Sequence, residues 1–128
     1  MEVVNQLAES IPNLKNKLIP LAKQLSKLGI KSASHDDRDK DERAYYDSLG
    51  ATICEFPTSL GAAQQARCGG NSIIMGAPNV VRGGSQSGSI AAVPLIEANL
   101  CDALVSDYYY PALCGSIWSL HDLSLIHI

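Results

Sequence analysis

Four short apolar runs, each closing on a polar or ionisable residue and each followed by a helical segment, limit what this chain can become. The runs are residues 30–34, 51–54, 72–75 and 103–106. They deliver His35, Glu55, Asn79 (after Gly76-Ala77-Pro78) and Asp107, at intervals of 20, 24 and 28 residues. Between them lie segments with helical spacing. PLAKQLSKLG from Pro20 puts Leu21, Leu25 and Leu28 on one face. Pro20 suits a first helical turn there, and Gly29 the position just past the end. Residues 1–19 are expected to be helical in pieces broken at Pro12 and Pro20, with Leu14 and Leu18 extending the same face. The run 38–43 reads as charged and solvated, opening a helix through Tyr45, Tyr46 and Leu49 to Gly50. Thr58 or Ser59 can cap a helix through Ala62, Ala63 and Ala66 that stops at Gly69-Gly70. Residues 89–99, despite Pro94, and 111–120 complete the helices.

Strand and helix alternating at this spacing imply parallel strands joined by right-handed crossovers, an α/β fold. The polar residues then collect at the C-terminal ends of the strands, where parallel α/β folds keep their sites.

Composition narrows the class further. At 128 residues the chain is one domain or a piece of one, and its 46% apolar share is enough for a core. A net charge of −3 makes no case for nucleic acid. No apolar run is long enough to span a bilayer, and the N-terminus lacks a signal-peptide layout. Cys54, Cys68, Cys101 and Cys114 form no CxxC pair. They are expected to be buried free thiols of a cytoplasmic protein.

The third strand hands over to Arg82, Gly83, Gly84, Ser85, Gln86, Ser87 and Gly88. Glycines let backbone N–H groups approach an anion, and a guanidinium matches phosphate oxygens in pairs. No Walker or GxGxxG spacing is present, so a plain connecting loop is the alternative. His35, beside Asp36 and Asp37, is a candidate metal ligand or a structural histidine. Asp107 is a candidate metal ligand and proton acceptor, or a helix N-cap before Pro111. Glu55 can ligate or orient, or be an exposed loop acid. Asp36, Asp37, Asp39 and Asp41 are most simply solvated. The last six residues, LSLIHI (123–128), resemble the translation of a transposon end used in sequencing libraries. They are taken as a non-native tail, with a genuine terminal strand as the alternative.

SASHDD (32–37), CEFPTSLGAAQQAR (54–67), IIMGAPNVVRGGSQSGS (73–89) and ALVSDYYYPALC (103–114) resemble successive blocks of the PhnM-type enzymes of bacterial phosphonate utilisation. These are members of the amidohydrolase superfamily. The resemblance runs from about Pro20 to Leu120. It implies a (β/α)₈ TIM-type barrel, with 1–122 supplying strands five to eight. It also implies a divalent metal, zinc or manganese, held by His35 and Asp107, with Asp107 catalytic. Glu55, Asn79, Arg82, Gly83, Gly84, Ser85 and Gln86 would bind substrate. The implied reaction is hydrolysis of alpha-D-ribose 1-methylphosphonate 5-triphosphate to the 5-phosphate and pyrophosphate.

Two departures stand out. Gln86 occupies the place of a histidine in the family's GGSHSGN pattern, and the superfamily's HxH motif is absent, the histidines being His35, His121 and His127. The chain is therefore expected to be the C-terminal part of a cytoplasmic enzyme, inactive alone. Its expected partner is a small phosphorylated ribose, not nucleic acid or membrane, with self-association left open. Rival readings are hydrolysis of a C–N bond in a small cyclic substrate, and a non-catalytic α/β fragment.

Overall fold

Glycines and short polar side chains set the ends of the elements. The computed structural model describes residues 17–85 and 88–127, so the expectations for Leu14 and Gln86 fall outside it. Helix α1 covers 17–27 and is followed by Gly29 at φ +69. It is already helical at Lys17, so Pro20 does not open it. Helix α2 (Lys40–Ser48) starts at Asp39, whose carboxylate accepts from the N–H groups of Asp41 and Glu42, and Gly50 (φ +86) follows its end. Helix α3 (Leu60–Cys68) starts at Ser59, whose Oγ accepts from Ala62 N at 3.1 Å.

Strands β1 (Ser32–His35), β2 (Ala51–Glu55), β3 (Ser72–Gly76) and β4 (Ala103–Val105) pair in parallel, in the order β1-β2-β3-β4. The α/β expectation holds, and the sheet is compatible with part of a β/α barrel. Local differences concern the second half. Residues expected to be loop after β3 form a short helix α4 (Ala77–Arg82), with Pro78 in its first turn, where its missing N–H costs nothing. Helix α5 is shorter than expected (Ala92–Glu97), and α6 (Pro111–Asp122) is longer.

Because side chains alternate along a strand, the register sorts the sheet into two faces. Ser34, Cys54 and Ile73 align across three strands; Met75, two residues after Ile73, aligns with Leu104. This face packs with Ala63, Ala66, Val80, Ala92, Leu95, Leu100 and Leu120 into one core. Full burial of Ile73 and Leu95 contributes about 1.5–3 kcal/mol each. The opposite face carries Ala33, Ile53, Ile74, Ala103 and Val105, all half-buried or exposed.

A charged network lies within the helix-covered side: the stretch 36–43 is mostly exposed, as expected, but Asp37 and Arg43 are not. Asp37 and Arg43 are fully buried. Asp37 Oδ2 accepts from Ser34 Oγ (2.6 Å), Arg43 Nη1 (3.3 Å) and Cys54 Sγ (3.3 Å). Arg43 Nη2 donates to Ala51 O (2.7 Å) and Asp47 Oδ1 (3.0 Å). The arginine satisfies a carbonyl at the start of β2 and a carboxylate on its own helix, which is why it turns inward.

The cysteines are all free, but only Cys54 is buried; Cys101 is half-buried, and Cys68 and Cys114 are exposed. Beyond α6 the chain turns at Ser124 (φ +59) and packs Leu125 and Ile126 on the core, with Leu125 N donating to Leu120 O. Residues 123–127 contain no strand.

Candidate site at the strand ends

Three of the four strand ends turn through a left-handed residue that is not glycine: Asp36 (φ +59) after β1, Phe56 (φ +54) after β2 and Asp107 (φ +51) after β4. Such a conformation costs an L-residue roughly 1–2 kcal/mol, and for a bulky side chain like Phe56 it is a true outlier. Neighbouring hydrogen bonds hold it. Asp36 N donates to Glu55 O and Phe56 N to Ile74 O, so the ladder runs one residue past each strand before the chain turns. The loops are then tied together. Thr58 donates from both N (2.9 Å) and Oγ1 (3.2 Å) to Asp37 O, and Ile90 N donates to Thr58 O at 3.1 Å.

These turns enclose a cleft of about 180 Å³ at the C-terminal rim of the sheet. Of the residues expected at the site, Asn79, Arg82, Gly84, Ser85 and Asp107 line it together. Gly83 adjoins it as the left-handed C-cap of α4, at φ +74. His35 and Glu55 do not line it. His35 is half-exposed, its Nδ1 3.0 Å from an Asp36 carboxylate oxygen and its ring edge-on to Phe56 at 5.1 Å. It thus braces two of the left-handed turns. Glu55 stands beside it in register on the uncovered face of the sheet.

Other wall residues were not anticipated: Asp36, Phe56, Thr58, Ser89, Ile90 and Tyr108 among them. Asp36 is exposed, as its charged surroundings suggest, and lines the cleft from that position. Phe56 and Thr58 reach the site through turn geometry that carries no residue-type signal.

Asn79 has a structural task as well. Its Oδ1 accepts from Ala92 N at 2.8 Å, capping the start of α5, which has no cap of its own. The Arg82 guanidinium lies 5.4 Å from the centroid of the Tyr108 ring, a cation–π distance. The cleft therefore combines a guanidinium and a glycine–serine turn, suited to anion oxygens, with the carboxylates of Asp36 and Asp107. Those carboxylates can accept a proton from water or hydrogen bonds from sugar hydroxyls.

The described residues do not make a metal centre by themselves. No three His, Cys, Asp or Glu side chains among them come together as ligands. His35 ends β1 and Asp107 follows β4, the two edge strands of the sheet.

A parallel α/β sheet defines a class of fold, in which ligand sites, where present, lie on the loops following the strands, the position of this cleft. Within it, the chain is 45% identical over 93 residues to the alpha-D-ribose 1-methylphosphonate 5-triphosphate diphosphatase of Escherichia coli (strain K12). The match covers 73% of this chain and 25% of that protein, so the chain spans about a quarter of the length of the curated relative it matches. The resemblance read from the four sequence blocks is thus a measured similarity. No protein-family model matches the chain, and no solved structure does.

Proposed function

We propose that this chain is the C-terminal part of a barrel hydrolase of phosphonate metabolism. In this reading its strand-end cleft binds the phosphate oxygens of alpha-D-ribose 1-methylphosphonate 5-triphosphate, cleaved to the 5-phosphate and pyrophosphate. The observation that carries the reading is the meeting of Arg82, Gly84 and Ser85 with Asp107 in one cleft. Arg82 and the adjoining turn hold phosphate oxygens, Asp107 accepts a proton from the attacking water, and Asp36 faces the ribose hydroxyls. A divalent metal, zinc or manganese, is held chiefly by segments outside this chain, His35 and Asp107 each offering a single donor. Strands one to four of the barrel cover the open sheet face carrying Ile53, Ile74 and Val105.

The test is Arg82→Ala in a complete enzyme ending in this sequence. Losing a hydrogen bond to a charged group costs about 1.5–3 kcal/mol, so kcat/KM for the triphosphate should fall roughly ten- to a hundredfold. Arg82→Lys should recover part of the loss, because an ammonium is a point charge without the planar fork. Thermal stability should scarcely move, since the residue is exposed. Lower stability with kcat/KM intact would remove Arg82 from the substrate site.

A further inference from the structure

A second cleft, of about 230 Å³, is lined by Pro78, Val81, Arg82, Tyr108 and Tyr109. It shares Pro78, Arg82 and Tyr108 with the anion cleft, so the two are neighbouring compartments of one groove. Its walls are apolar and aromatic, yet wet: Val81 is 45%, Tyr108 59% and Tyr109 52% exposed. Tyrosine rings held at a rim bring a large contact surface with little conformational entropy to lose. A flat π-face beside a guanidinium is the arrangement that stacks a planar heteroaromatic ring, tolerant of which ring it is.

We infer that this second cleft is a subsite for the base of a nucleoside triphosphate whose phosphates occupy the anion cleft beside Arg82. The inference rests on the proposed triphosphate reading and extends it. The ribose substrate proposed for the parent enzyme carries no base, so a nucleoside triphosphate becomes a second ligand class, competing through the triphosphate arm the two share. Tyr109 and Val81 line only the ring compartment. Tyr109 also joins α6 through backbone groups, its N–H donating to Ser106 O and its carbonyl accepting from Ala112 N. Its ring can therefore be removed without touching the anion cleft or those bonds.

The experiment is calorimetric titration of the 128-residue chain with inorganic triphosphate and with adenosine triphosphate, repeated for Tyr109→Ala and Tyr109→Phe. Stacking of one base contributes a factor of roughly five to a hundred in affinity. Adenosine triphosphate should therefore bind at least about fivefold more tightly than inorganic triphosphate. Tyr109→Ala should abolish that preference with inorganic triphosphate binding unchanged, and Tyr109→Phe should keep it. Equal affinity for the two ligands, or a preference that survives Tyr109→Ala, overturns the ring subsite and leaves the anion site standing. Binding of neither ligand overturns the anion site, and the subsite with it.

Discussion

Arg43→Met isolates the buried charge network. Methionine is long enough to fill much of the guanidinium's space, so the cavity contribution is small and the electrostatic one dominates. The substitution removes donors to Ala51 O, Asp47 Oδ1 and Asp37 Oδ2. Asp37 then keeps Ser34 Oγ and Cys54 Sγ as donors to Oδ2, while its buried Oδ1 has no protein partner. Removing one partner of a buried pair leaves an uncompensated charge and costs about 3–5 kcal/mol. That is a large part of the ~5–15 kcal/mol that holds a domain together. Urea unfolding followed by far-ultraviolet circular dichroism reads it directly. With a slope of about 2 kcal/mol per molar, the midpoint should fall by roughly 1.5–2.5 M at constant slope. Adding Asp37→Asn should recover more than about 1 kcal/mol, because the amide brings no charge into the interior. A loss below about 1 kcal/mol in the single variant, or no recovery in the double, would refute the argument that this network is held by charge compensation.

Two further outcomes follow from the same geometry. Burial, then the Asp37 carboxylate beside it, pushes the Cys54 thiol up to about 12. At pH 8 a disulfide reagent should therefore titrate Cys68 and Cys114 quickly and Cys54 only after unfolding; fast labelling of Cys54 in the native chain would contradict its placement. Asn79→Ala removes the cap on α5 and should cost about 1 kcal/mol of stability with affinity for inorganic triphosphate within about twofold of the original. A larger loss of affinity than of stability would assign Asn79 a ligand contact instead.

Much of the architecture is written in local sequence. Gly29, Gly50 and Gly70 stop the helices because each adopts a left-handed backbone at φ +69, +86 and +70, and Ser59 opens α3 with its own hydroxyl. The spacing of apolar runs is likewise enough for four parallel strands in chain order, since short crossovers leave few alternatives. It also brings Asn79, Arg82, Gly84, Ser85 and Asp107 to one rim. Where partners come from distant segments, the sequence is silent. The stretch 36–43 looks solvated by composition, and only the docking of α2 on β1 and β2 reveals Asp37 and Arg43 as buried and mutually compensated. Helix α4, six residues long, is too short to hold itself and forms against α6, so its residues read as a loop. Asn79 is legible as a residue after the third strand, but that its Oδ1 also caps α5 is visible only once α5 packs beside it. His35 is legible as a strand-end residue, but its contacts with Asp36 and Phe56 arise only once the chain turns left-handed beside it. Residue type and spacing determined where the strands end; which way each side chain then faces was decided by hydrogen bonds and packing between segments far apart in the chain.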